Sequence, residues 1–174
     1  MLMVDRVETY DASAKQLVGI KNVPQNDLFL QGHFPEYPIF PGVLTLESLT
    51  QASTVLMHLS NLVPNGTSEA ELKELLSTFQ PPYSVLAESR IKYSTPIYPG
   101  DQIKLETRLV KQEGEIYTFK VRALVNAQDV AATGTVAVAR TITGLVQHGA
   151  LETITDSGVL SRDRKLRGNG RPDL

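Results

Sequence analysis

The 174-residue sequence contains no cysteine. Disulfides and thiolate-bound metal centres are therefore excluded, and the redox compartment stays open. Charge of either sign is not in excess. The net value is -2, so no chain-wide basic field points to a nucleic-acid partner. Long apolar runs are missing too, and none approaches the ~20 residues of a bilayer-spanning helix. Met1 to Val4 meets Asp5 and Arg6 at once, which leaves no signal-peptide apolar region there. These absences set the expectation of a cytoplasmic protein with no membrane insertion. What is present is ordinary: 41% hydrophobic residues, enough for a core, in a length that suits one domain or one domain with an appendage.

One stretch is not ordinary. Gln31 to Gln51 reads QGHFPEYPIFPGVLTLESLTQ. A histidine, three prolines and two glycines lie within a dozen residues, and they run into an apolar helix carrying one carboxylate. Pro35, Pro38 and Pro41 each lack an amide donor and restrict the residue before them, so this segment reads as a stiff loop. Pro41 and Gly42 open the helix, where proline is well tolerated. Apolar residues from Val43 to Leu59 cover most of the circumference, which predicts a helix buried on most sides. Glu47, Gln51, Thr54 and His58, at i, i+4, i+7 and i+11, form a narrow polar stripe.

Around this stretch the chain reads as strands. Leu2 to Thr9 and Gln16 to Val23 form a pair across a polar turn, and Asn22 to Gly32 is loop. Ser68-Glu69-Ala70-Glu71 resembles a capping box opening a short helix to about Phe79. From Val85 the apolar period becomes two, with strands over Ala87 to Ser94, Ile103 to Leu109, Ile116 to Val125 and Val130 to Arg140. The fold class is α+β: an antiparallel sheet of about five or six strands with one long helix against its apolar face. Residues 1–144 make the domain, with 62–82 an insertion bearing the short helix. Residues 145–174 read as a C-terminal extension, partly disordered and mildly basic.

Three residues carry the candidate chemistry. His33 is a plausible general base near neutral pH; its bland alternative is a hydrogen bond to a loop carbonyl. Gly42 stands where helix amides lack partners, so a substrate oxygen can approach closely and negative charge is favoured. Its bland alternative is a glycine that eases the turn after Pro41. Glu47 sits among Val43, Leu44, Leu46 and Leu49, where an idle charge is costly. It is either a neutral acid able to give up a proton or the partner of a basic residue such as Arg90 or Lys92. Gln51, one turn on, can orient it. A base, an acid and an oxyanion donor imply addition or elimination of water next to a thioester or similar carbonyl. The acid and base are worth about 10²–10⁴ in rate and the oxyanion donor about 10²–10³.

His33-Phe34-Pro35, Pro38, Pro41-Gly42-Val43-Leu44, Glu47 and Gln51 together resemble the signature of β-hydroxyacyl-acyl-carrier-protein dehydratases of the FabZ kind. Leu2 to Val7, Lys21-Asn22-Val23, Phe29 to Gly32 and Pro96, Pro99-Gly100-Asp101 resemble further parts of that family, over about residues 1 to 140. The resemblance implies a hot-dog fold and a homodimer, alone or in a trimer of dimers. It implies His33 of one chain facing Glu47 of its partner beside the Gly42 amide, with Phe34, Pro35, Phe40, Val43 and Gln51 supporting or lining the pocket. The implied reaction is reversible dehydration of a (3R)-3-hydroxyacyl thioester to the trans-2-enoyl thioester, in fatty acid or related acyl-chain biosynthesis. No metal or other cofactor is implied, because the acyl group arrives on the phosphopantetheine of an acyl carrier protein. Glu47, where related dehydratase/isomerases carry aspartate, implies dehydration without isomerisation.

The chain departs from that family in three places. It starts after the usual His-Arg-Tyr-Pro-like stretch, its 62–82 segment is longer, and its tail has no counterpart. Arg90 with Lys92, and Lys120 with Arg122, alternate on two strands and suit an acidic carrier protein, or simply a solvated face. Two other functions fit a hot-dog chain. One is an acyl thioesterase, which would normally lack the His33 loop. The other is a non-catalytic acyl-carrier-binding subunit, which would tend to lose His33 or Glu47.

Overall fold

A computed structural model describes residues 2–26, 28–62, 70, 71, 74, 77, 83–126 and 129–140. Strands β1 (Arg6–Asp11) and β2 (Gln16–Asn22) come first, followed by a short 3-10 turn at Leu28–Leu30. Then come helix α1 (Gly42–Leu62) and strands β3 (Ser84–Tyr93), β4 (Gln102–Glu113), β5 (Ile116–Val125) and β6 (Asp129–Arg140). The six strands form one sheet in the order β1-β2-β4-β5-β6-β3, and every neighbouring pair is antiparallel.

The strands follow from alternation. In β4, Ile103, Leu105 and Thr107 are buried, whereas Lys104, Glu106 and Arg108 look outward. Their partners on β5, Val125, Ala123 and Val121, carry the same apolar face across the sheet, as expected for a sheet with one covered side. Gly114, at φ 56°, closes the β4–β5 hairpin in a conformation that favours glycine. Helix α1 lies on the apolar face. Leu49, Ala52, Ser53, Leu56 and Met57 are fully buried there. Each buried leucine contributes about 1.5–3 kcal/mol. The hydroxyls of Ser53 and Thr107 meet at 2.8 Å and tie helix to sheet.

Two expectations need correction. The first strand runs over Arg6–Asp11, not from Leu2. The Met3 amide donates to Gln51 Oε1 at 2.8 Å, so the first residues are drawn to the helix and pairing with β2 begins only at Asp5. The third strand starts earlier than expected, at Ser84. Helix α1 is buried as expected, with only Val43 and Asn61 of its residues exposed. One sheet covers one face, and in a single protomer Val43 stays 70% exposed, with Leu46, Glu47, Val55, His58 and Leu59 half-buried. Ala70, Glu71, Glu74 and Ser77 are helical; the rest of the predicted short helix and the 145–174 extension lie outside the described residues.

Candidate active site

The loop that bears His33 has no regular structure, yet several of its amides find backbone partners. Phe34 and Tyr37 exchange backbone hydrogen bonds, Ile39 N donates to the His33 carbonyl at 2.7 Å, and Phe40 N donates to the Ile97 carbonyl at 2.7 Å. Prolines at 35, 38 and 41 need no partner, so the loop keeps its shape with few bonds. Its outer side is braced where the Tyr37 and Tyr98 hydroxyls meet at 2.7 Å.

His33 Nδ1 lies 2.9 Å from the Ile39 carbonyl oxygen. A carbonyl only accepts, so Nδ1 carries the proton and Nε2 is the basic atom. The bland partner expected for His33 therefore exists, and it fixes the tautomer that a general base requires. Phe34 stacks on the imidazole, with centroids 4.6 Å apart.

His33 lines a cavity of about 340 Å³ whose wall includes Phe40, Gly42, Thr45, Tyr93 and Ile97. Gly42 is the first residue of α1, and among the described residues its amide has no partner, as the helix start dictates. Tyr93, from the end of β3, packs beside it and donates its hydroxyl to the Gly42 carbonyl at 2.8 Å. A Cβ on Gly42 would meet the Tyr93 ring at 3.2 Å, so a side chain there would press on that ring. Burial pushes the Tyr93 hydroxyl pKa up, which keeps it a donor.

Glu47 does not line this cavity. It is half-buried on the side of α1 that the sheet leaves open. Gln51 Nε2 donates to its Oε1 at 2.8 Å, while Gln51 Oε1 accepts from Met3 N. Gln51 thus links the carboxylate to the chain ahead of β1, in the orienting place expected of it. The suggested pairing of Glu47 with Arg90 or Lys92 is corrected: those side chains flank Ile91 on the outer face of the sheet, away from α1. Arg90 and Lys120 both register with Thr135, and Lys92 and Arg122 with Thr133. Arg122 pairs with Glu106 at 3.3 Å.

Of the expected pocket residues, then, His33, Phe40 and Gly42 share one cavity. Phe34 supports the imidazole from a position 56% exposed. Pro35 and Val43 are exposed and line nothing here. Val43 follows Gly42 by one residue, and a 100° turn of the helix carries it off the wall. Thr45 and Tyr93 were missed. Thr45 sits at i+3 from Gly42, a spacing that placed it on the same face. Tyr93 carried no local signal, because only the sheet order returns the end of β3 to the start of α1.

A FabA-like domain matches residues 1–134, more than three-quarters of the sequence. The chain belongs to the FabA-like domain family. Solved structures share the FabA-like chain's hot-dog fold. The dehydratase heterocomplex ApeI:P from Xenorhabdus doucetiae is similar at TM-score 0.61 and 14% identity, covering 84% of this chain and 88% of that one. The E. coli PaaI protein of the phenylacetic acid degradation operon is similar at 0.55 and 12%, covering 79% of each. The smu.793 protein of Streptococcus mutans, bound to acetyl CoA, is similar at 0.54 and 15%, covering 78% and 86%. At such identities the likeness is one of fold. Among the described residues, the FabA-like domain has no helix long and apolar enough to cross a membrane, and no cluster of three acidic or histidine side chains able to hold a metal ion.

Proposed function

We propose that this chain is a 3-hydroxyacyl thioester dehydratase of the FabZ kind, acting on acyl groups carried by an acyl carrier protein. One observation carries the reading: His33, held through Nδ1 by Ile39, shares a cavity with the unpartnered Gly42 amide. A base and an oxyanion donor on one wall suit proton abstraction next to a thioester carbonyl. His33 Nε2 takes a proton from C2, and the electron pair moves toward the carbonyl, whose oxygen the Gly42 amide stabilises. The pair then forms the C2–C3 double bond as the 3-hydroxyl leaves as water, protonated by Glu47. Reversal of the two protonation states returns the enzyme for the next turnover, and no isomerisation follows. The chemistry calls for no metal or redox cofactor.

The acid reaches the cavity from a second copy. Glu47 lies off its own cavity, on an open helix face beside the exposed Val43. Strand β3 ends the sheet order, and it exposes Val85 and Leu86. An unpaired, apolar edge invites another strand, and a homodimer closed there, alone or in a trimer of dimers, would cover both features. The outer-face cations Arg90, Lys92 and Lys120 suit an acidic carrier protein.

The test is direct. The protein is incubated with a (3R)-3-hydroxyacyl carrier thioester, and the enoyl thioester is followed. Turnover by the native chain, lost by about 10²-fold or more in His33→Ala, is expected. Absence of turnover in a folded dimer, or undiminished turnover in the variant, refutes the reading. Release of free thiol instead would favour the thioesterase alternative. Carrier binding without any reaction would favour the non-catalytic subunit.

A further inference from the structure

Most hydroxyls along α1 behave alike, with two departures, Ser60 near its end and Thr45 near its start. Ser48, Thr50, Ser53 and Thr54 each donate to the carbonyl four residues back, at 2.7, 2.9, 2.8 and 3.0 Å. This is the usual fate of a hydroxyl inside a helix. Thr45 does otherwise. The carbonyl four residues before it, on Pro41, accepts the amides of Leu44 and Thr45 at 2.9 and 3.2 Å, and among the described residues the Thr45 hydroxyl has no partner. Yet Thr45 is only 1% exposed. A fully enclosed hydroxyl left unmatched costs free energy, as at Ser60 Oγ. The Thr45 hydroxyl borders open space, because Thr45 lines the cavity that holds His33 and Gly42.

The placement gives the hydroxyl a use. Residues three apart share a helix face, and helical side chains lean toward the N-terminus. Thr45 therefore leans toward the first turn, where the Gly42 amide is unmatched. Two donors, one backbone and one side chain, converge on one part of a cavity whose remaining wall is largely apolar, with Phe40, Ile97 and Ala131. In such surroundings a donor aimed at developing charge counts for more than in water.

We propose that the Thr45 hydroxyl is a second oxyanion donor, binding with the Gly42 amide the carbonyl oxygen of an acyl thioester. The inference deepens the dehydratase reading and rests on it for the reaction, though not for the ligand. The hydroxyl donates to a carbonyl oxygen that gains negative charge as C2 loses its proton, so the bond strengthens toward the transition state. Its loss falls on kcat more than on KM.

The full chain is compared with Thr45→Val, which keeps the shape and removes the hydroxyl, and with Thr45→Ser, which restores it. Two readouts separate this inference from the reaction itself. The first is the infrared carbonyl band of bound butyryl-pantetheine, a saturated thioester that cannot lose water. The band is expected at lower frequency in the native and Thr45→Ser proteins than in Thr45→Val. The second is turnover of a 3-hydroxyacyl thioester, with kcat expected to fall about 10- to 100-fold in Thr45→Val, KM little changed, and Thr45→Ser close to native. A band shift that depends on Thr45 without dehydration supports the donor and refutes the dehydratase reading alone. An identical band in native and Thr45→Val proteins, no binding of butyryl-pantetheine to the native chain, or native kcat in a dehydrating Thr45→Val protein overturns the proposal.

Discussion

His33 shows how one hydrogen bond can specify a role. Its Nδ1–H is committed to the Ile39 carbonyl, so the ring cannot flip without leaving a carbonyl unmatched and presenting the wrong nitrogen. His58 shows the opposite use of surroundings. Burial, with Arg140 adding like charge, holds its pKa below the ordinary 6.5. Below that value the unfolded chain binds a proton that the folded chain resists, so stability falls as pH drops through the window under 6.5 and is flat above it. The depressed carboxylates Asp5, Asp11 and Glu115 start from ordinary values of 3.8 to 4.5 and go lower, outside that window. Thermal midpoints taken from about pH 7 to about pH 5 should therefore decline in the native protein and decline less in His58→Gln. An equal decline in both would remove His58 from the account. At this scale the sequence was readable wherever a residue type declared its constraint. Prolines marked the loop, and the histidine and the helix-start glycine singled out beside them line one cavity. Tyr93 was not readable, since nothing local distinguishes a tyrosine ending an edge strand from one that meets the helix.

Helix α1 and strand β3 carry the lesson at the scale of elements. The apolar periodicity of α1 was legible and its length nearly so. Its burial was legible too, but not what covers the Val43 end, because an apolar surface reveals that something covers it, not what does. The first strand was displaced for a similar reason: a side chain 48 residues away, Gln51, claims the Met3 amide. Strand β6 depends on a constraint that periodicity alone does not display. A Cβ at Gly134 would overlap the Arg90 backbone carbonyl. Because the obstacle is backbone in the β3–β6 pairing, it cannot yield as a flexible side chain would. Gly134→Ala should therefore cost about 2–5 kcal/mol, read as a markedly lower unfolding midpoint. A midpoint within about 2 °C of native would show that the strands have slack there.

In the whole molecule, three incomplete features coincide. The cavity holds His33 and the start of α1 at Gly42 but no carboxylate. Glu47 and Val43 occupy an uncovered face of α1. The sheet ends in β3, an open strand with exposed apolar residues. In the proposed dimer a second copy supplies all three at once, and this sharing of sites is the central claim. It can be tested by co-expressing His33→Ala and Glu47→Gln chains under different tags. Each homodimer lacks one partner at both sites and should be nearly inactive. A mixed dimer pairs the intact His33 of one chain with the intact Glu47 of the other, rebuilding one site of two. The doubly tagged species should therefore recover about half of the native dehydratase rate per dimer. If the mixed dimer stays as inactive as its parents while both variants remain folded, His33 and Glu47 do not meet across subunits and the account is wrong.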